Sequence, residues 1–283
     1  MKFQQIRSAT IKISYGGRTF LIDPWLSKAR IAGCLGIIPL ICAINRGGDP
    51  RKKPIIDHCA TWKAVTPKHK WTMVPRKPLP MSVDEVNEGV DAYICTHTHM
   101  DHIGLSPFGK ACEGLNKSVT ILAQNKEDAD FLEYSGMKDV RIVEDSISFG
   151  EAELIKVKAI HGTETPCGDA CGYIFRSPNE KTLYVTGDTV WCDTVKETIE
   201  KYNPDVIITY NCAAVLEGYG RLIMDDNDLY EVYKAAPNAT IIASHMDNVP
   251  HATLTRKTLS KKLKEKGIAD KIRIPADGEC YFL

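Results

Sequence analysis

The chain has 283 residues, 43% of them hydrophobic and 25% charged, an ordinary make-up for a soluble globular protein with a sizeable core. Its 36 basic and 36 acidic side chains cancel, which argues against general nucleic-acid binding, because such domains are basic as a whole. Length alone leaves one large domain or two small ones open.

The opening residues, MKFQQIRSAT, lack the apolar stretch of a secretory signal. With ten cysteines and no such signal, a reducing cytoplasmic setting and free thiols are expected, not a disulfide framework. Residues 9–15 alternate in polarity like a half-buried strand, Gly16 and Gly17 supply a hairpin turn, and residues 19–22 return to Asp23-Pro24. Regularity then fails from residue 27 to residue 80, a stretch rich in proline with Trp62 and Trp71 among its basic residues. Its longest apolar run, 31–44, is broken by Gly36 and Pro39, so no membrane span is predicted. Between Lys28 and Lys77 eleven Lys and Arg face only Asp49 and Asp57, a local charge of +9. So long an irregular segment is usually functional. We read it as a lid or substrate loop, with Arg51, Lys52 and Lys53 as candidate contacts for a small anion. A solvated surface turn is the plainer reading of any one of these three.

Beyond residue 80, strands and helices alternate. Predicted strands cover 92–95, 119–123, 140–143, 153–159, 172–175, 182–186, 206–209 and 240–243. Predicted helices cover 126–134, 190–202, 226–235 and 254–266, the last stopped by Gly267.

Directly after the first of these strands, residues 96–102 read Thr-His-Thr-His-Met-Asp-His. His97 and His99 stand at period two, so an extended backbone projects both to one side. Asp101 and His102 can turn elsewhere as the chain leaves the strand. Three imidazoles and a carboxylate this close together suit two metal ions held side by side, and such ligands fit zinc, manganese or iron without a thiolate. A polar loop that happens to be rich in histidine explains them less well. Single ligand-type residues mark three other predicted strand ends: His161, Asp188 and His245. Taken alone, each has an ordinary role as a backbone-bonded histidine, a turn former or helix cap, or a core histidine. His251 is a candidate for substrate contact or proton donation, and equally for capping the helix that follows it. Trp191 and Asn211 lie on segments expected near the site, where packing explains them as well.

The pattern at His97, His99, Asp101 and His102 resembles the His-x-His-x-Asp-His signature of the metallo-β-lactamase fold superfamily. The likeness covers nearly the whole chain. Residues 8–26 resemble its opening hairpin with an Asp-Pro end, and His161 in AIHGT, Asp188 in VTGDT and His245 in IIASHMD resemble its later ligand motifs. The GDTVW and ASHMDNVPHATLTR stretches are most similar to bacterial metal-dependent hydrolases of the L-ascorbate-6-phosphate lactonase kind. The resemblance implies an α/β fold, a four-layer αββα sandwich of two mixed β-sheets flanked by helices. Residues 1–283 would form one domain, with 27–80 as a lid or substrate insertion. It further implies that His97, His99 and His161 hold one divalent ion and that Asp101, His102 and His245 hold a second. Asp188 would bridge the two ions, which would be zinc or manganese, with iron also compatible. Two such ions make hydroxide available near neutral pH. The implied activity is hydrolysis of a small anionic ester, lactone or phosphodiester, with Asp101 and His251 as the catalytic candidates.

Three other functions are weighed against this one. A nucleic-acid-processing nuclease of the same superfamily would carry a large inserted domain or binding arm and a basic surface, and neither is evident. A di-iron redox protein would add a flavin domain and place glutamate where His99 stands. A metal-free binding protein would not keep the full ligand set. The expected partner is a small anionic substrate, with no nucleic acid or membrane, and homo-oligomerisation is left open.

Overall fold

The computed structural model describes residues 1–29, 74–104 and 110–283, and its strands build two seven-stranded sheets. The first runs β16 (Cys280–Phe282), β1 (Lys2–Arg7), β2 (Thr10–Tyr15), β3 (Arg18–Ile22), β4 (Ala92–Ile94), β5 (Thr120–Ala123) and β6 (Val140–Ile142). It is antiparallel through β3 and parallel beyond. The second runs β15 (Ile272–Arg273), β14 (Thr240–Ser244), β11 (Val206–Tyr210), β10 (Leu183–Val185), β9 (Cys171–Arg176), β8 (Ala152–Lys158) and β7 (Ser146–Phe149). Its first four strands are parallel and the rest antiparallel. A short hairpin, β12 (Val215–Leu216) and β13 (Gly220–Arg221), stands apart.

The apolar runs explain the layering. Every residue of β4, β10 and β11 is buried, as expected for parallel strands covered on both faces. The sheets meet through aromatic side chains: Phe20 of β3 packs edge-on against Phe175 of β9 and Phe149 of β7, at 5.6 and 6.0 Å between ring centres. Helices cover the outside. Among the described residues these are α1 (Val83–Asn87), α2 (Met100–Ile103), α3 (Lys126–Tyr134), α4 (Asp193–Tyr202), α5 (Asp226–Ala235) and α6 (Arg256–Glu265). Each longer one buries a narrow stripe, such as Leu229 and Val232 of α5 or Leu259 and Leu263 of α6. The architecture is the expected sandwich of two mixed sheets between helices.

Helices α3 and α5 match their predicted bounds. Helix α4 starts at Asp193 rather than residue 190, because the Val190 amide is drawn to the Ile160 carbonyl at the exit of β8, 3.0 Å away. Helix α6 starts later than residue 254, since Thr255 and Thr258 form a capping box there. It closes at Gly267, in the left-handed region, with the Ile268 amide donating to Leu263 at 3.0 Å. Of the 27–80 segment, residues 30–73 lie outside the described residues, and the lid expectation with Arg51, Lys52 and Lys53 falls there.

Strands β4, β8, β10, β11 and β14 all finish at one edge of the sandwich. The turns beyond them hold the ligand-type residues.

Candidate metal centre

The heptad is fixed from its first residue. Thr96 donates its amide and hydroxyl to Asp23 Oδ1, both at 2.9 Å, and its carbonyl accepts the Cys171 amide of the other sheet at 3.2 Å. His97 to His99 stay extended, with the two imidazole centres 4.3 Å apart. Helix α2 then turns the chain, so Asp101 and His102 leave in a different direction from His97 and His99. The three outlying residues come to meet them. Ligand atoms of His97, His99 and His161 lie within 4.8 Å of one another, as do those of His97, His102 and Asp188, and those of Asp101, His102 and His245.

Asp188 sits at the junction. Its Oδ2 is 3.2 Å from His102 Nε2, 3.7 Å from His161 Nε2 and 3.8 Å from His97 Nε2, while Oδ1 is 3.6 Å from His245 Nε2. His245 Nε2 also lies 3.5 Å from Asp101 Oδ2. All seven side chains are buried, the most accessible being Asp101 at 7%.

Their outer partners decide which nitrogen carries a proton. His161 Nδ1 is 3.0 Å from the Leu222 carbonyl, which can only accept, so the proton sits on Nδ1 and Nε2 keeps its lone pair. His102 Nδ1 lies 3.0 Å from the Asp23 carboxylate, an ion-pair contact without hydrogen-bond alignment. His245 Nδ1 is 3.2 Å from the Ser8 hydroxyl, and its backbone, left-handed at φ 60°, is held by the Ser8 carbonyl at 3.1 Å. The inward atoms then crowd together: His102 Nε2 and His245 Nε2 are 3.0 Å apart, and His161 Nε2 and His99 Nδ1 3.2 Å. Asp188 Oδ1 is buried and accepts no hydrogen bond among the described residues. Converging imidazole nitrogens beside an unsatisfied carboxylate oxygen are the pattern that divalent cations complete. The residues present fit such ions.

The electrostatics agree. Burial acts most strongly on His102 and opposes its charge, yet Asp188, Asp23 and Asp101 outweigh it and hold the imidazolium well above the usual histidine range. Burial would also raise Asp188, but His102, His245 and His161 keep it well below the ordinary carboxylate range. A carboxylate this strongly held in its charged form is prepared for cations.

His251 does not cap α6, because Thr255 does. Its imidazole is 9% exposed, and Nδ1 has no partner among the described residues. Burial pushes its pKa down to about 4, with Asp101, His245, Asp188 and His161 all acting on it. It joins none of the three ligand clusters. Asn211 is wholly buried beside Thr209, and Trp191 packs partly buried against the core. None of the seven described cysteines forms a disulfide among the described residues.

Several supporting residues escaped the sequence reading. Asp23 holds both Thr96 and His102, and it accepts the Tyr210 hydroxyl at 3.0 Å. Asp128 of α3 accepts the Thr98 hydroxyl at 2.7 Å and the Gln124 amide at 2.8 Å, fixing the residue between His97 and His99. Asp23 had a signal in its place at a strand end. Asp128 had none, because only the fold brings α3 under the heptad.

A family model described as a beta-lactamase superfamily domain matches residues 18–246. The chain belongs to the metallo-β-lactamase superfamily. Among relatives in that superfamily, it is 35% identical to the UPF0173 protein YddR of Bacillus subtilis, over 99% of both chains. A crystal structure of an isothiocyanate hydrolase from Delia radicum gut bacteria superposes with a TM-score of 0.80 at 31% identity, covering 100% of this chain and 99% of that one. A possible metal-dependent hydrolase from Veillonella parvula superposes with a TM-score of 0.82 at 30% identity, with the same coverage. These likenesses place the chain among the metal-dependent hydrolases of the superfamily.

Proposed function

We propose that this metallo-β-lactamase-fold protein is a hydrolase whose seven clustered ligands hold two divalent ions, zinc or manganese, with iron also compatible. The observation that carries this reading is the position of Asp188, one carboxylate within 4 Å of four histidines from three other strand-end turns. His97, His99 and His161 would hold one ion, Asp101, His102 and His245 the other, and Asp188 both. Ions bound there would lower the pKa of water into the neutral range and polarise the bond under attack. The chain's own residues supply the rest. The Leu222 carbonyl keeps His161 in the metal-binding tautomer, and the Asp23 carboxylate faces His102 Nδ1. His251, buried and neutral near pH 7, offers a hydrogen bond beside the ligands, and Asp101 is the carboxylate nearest His245.

A cavity of about 460 Å³ opens beside His161 and is lined by Lys156 and Lys158 together with Glu144, Asp145 and Asp169. That size suits a small molecule. A larger cavity of about 650 Å³ beside α1 contains none of the ligand residues.

The +9 segment between Lys28 and Lys77 favours a small anionic ester, lactone or phosphodiester as substrate. A second reading rests on the full-length likeness to an isothiocyanate hydrolase. An isothiocyanate offers an electrophilic carbon without needing an anion. The test is metal analysis of protein purified without chelator, then assays of the metal-loaded protein on lactones, phosphodiesters, carboxylate esters and isothiocyanates. Protein that binds no divalent ion, or that turns over none of these with any of the three metals, would reject the reading.

A further inference from the structure

One ion pair outside the ligand set stands behind two members of it. Arg221, at the end of β13, forks onto Asp228 of α5: Nη2 lies 3.1 Å from Oδ1, and Nη1 contacts Oδ2 while donating to the Ile223 carbonyl at 2.9 Å. Asp228 Oδ2 also accepts the Trp191 amide at 3.1 Å, three residues beyond Asp188. The backbone of Arg221 grips a different strand end. Its amide donates to the Thr163 hydroxyl at 2.9 Å, and its carbonyl accepts the Thr163 amide at 3.0 Å. The next carbonyl along, Leu222, accepts His161 Nδ1. The hairpin is seated so closely that a Cβ added at Gly220 would lie 2.3 Å from the Thr163 hydroxyl oxygen.

We propose that the Arg221–Asp228 pair is a positioning device for the metal centre, setting His161 through the Leu222 carbonyl and the Asp188 turn through the Trp191 amide. This rests on the reading that the cluster holds divalent ions. Attaching α5 to the fold does not require the pair, because Leu229 and Val232 already anchor that helix in the core, and Lys262 of α6 holds Asp226 at 2.5 Å. A partly buried ion pair adds little net stability over an apolar one. What a guanidinium–carboxylate fork adds is direction: its carboxylate reaches the Asp188 turn at the Trp191 amide, and its guanidinium, through the Ile223 carbonyl and Asp225 at 3.5 Å, fixes the segment whose backbone meets the His161 turn.

The test compares Arg221→Met and Asp228→Asn with wild-type protein. The readouts are zinc affinity by chelator competition, the visible spectrum of the cobalt-loaded form, and the His161 Nδ1 proton resonance of the metal-free form. Folded variants should bind zinc about 10- to 100-fold more weakly, as when other outer partners of metal ligands are lost. Their cobalt spectra should change, and the His161 resonance should broaden or disappear. Wild-type zinc affinity and cobalt spectrum in either folded variant would overturn the proposal. Loss of fold in both would overturn it too, by making the pair a part of the fold. If wild-type protein takes up no metal, the metal-site reading fails separately. The proton resonance then decides alone, and its survival in Asp228→Asn would show that the Leu222 carbonyl is placed without the pair.

Discussion

Asp23→Asn tests whether an outer carboxylate controls the proton on a proposed metal ligand. Asp23 sits at φ 48°, a left-handed conformation that Asn tolerates, so the backbone has no reason to move. The Thr96 amide requires an acceptor, which keeps the Asn carbonyl where Oδ1 is now. The new NH2 group then faces His102 Nδ1 and the Tyr210 hydroxyl. Tyr210 can adapt by giving its proton to the Ala9 carbonyl, 3.1 Å away. When His102 gives up one proton to bind a metal, the one it keeps is then favoured on Nε2, the atom that faces Asp188 and His245. In that tautomer it cannot ligate. We expect zinc affinity to fall about 10- to 100-fold, the range for lost outer partners of metal ligands, which is about 1.4–2.7 kcal/mol. The metal-free fold loses one charge-assisted hydrogen-bond set, about 1–2 kcal/mol. Chelator competition with zinc and urea unfolding of the metal-free protein measure the two effects separately. Wild-type zinc affinity in the folded variant would refute the tautomer argument.

His251→Gln should leave metal content unchanged while lowering kcat/KM at least about tenfold, because the variant loses a hydrogen bond to substrate; unaltered kinetics would make His251 a packing residue. Neutralising Arg51, Lys52 and Lys53 together should raise KM for an anionic substrate and flatten the salt dependence of kcat/KM; wild-type kinetics at low salt would remove the charge argument. Burial raises Asp128 from 3.8 to about 6, so the fold gains stability from its proton below pH 3.8 and loses it as pH rises towards about 6. Asp128→Asn should therefore flatten the pH dependence of urea unfolding between about pH 4 and 6, and an unchanged slope would show that the carboxyl does not titrate there.

Legibility in the sequence followed physical range. Helices α3 and α5 were readable because their apolar residues recur on one face and Asn125 and Asp225 cap them locally. Strands β4, β10, β11 and β14 were readable as short apolar runs between turn residues. Strand β1 was missed because KFQQIR shows no clean alternation; it is recruited by pairing with β2 and β16. The last two strands, β15 and β16, are too short to carry a period of their own. The seven ligand candidates were legible because their chemistry is rare and each follows an apolar run. Their supports were not. Leu222 acts through a carbonyl that any residue would supply, and Asp128 looks like an ordinary acidic residue in the first turn of a helix.

Every ligand cluster draws on both sheets, and this would make any ion bound there part of the fold. His97, His99, Asp101 and His102 follow β4 of the first sheet, whereas His161, Asp188 and His245 follow β8, β10 and β14 of the second. An ion held by any of the three clusters therefore ties the two layers together where their parallel strands end. Because the ligand set is assembled only in the folded state, binding energy adds to stability. At free metal one hundred times the dissociation constant, the gain is about 2.7 kcal/mol per site. For a domain of this size that corresponds to a rise in Tm of roughly 5–10 °C. Binding also displaces the proton of His102, whose pKa is raised in the metal-free site. The stabilisation should therefore grow as pH rises through that pKa. Differential scanning calorimetry with zinc and with excess chelator, at matched ionic strength and several pH values, measures both effects. A Tm that ignores chelator at every pH would mean that these seven side chains hold the sheets together without metal.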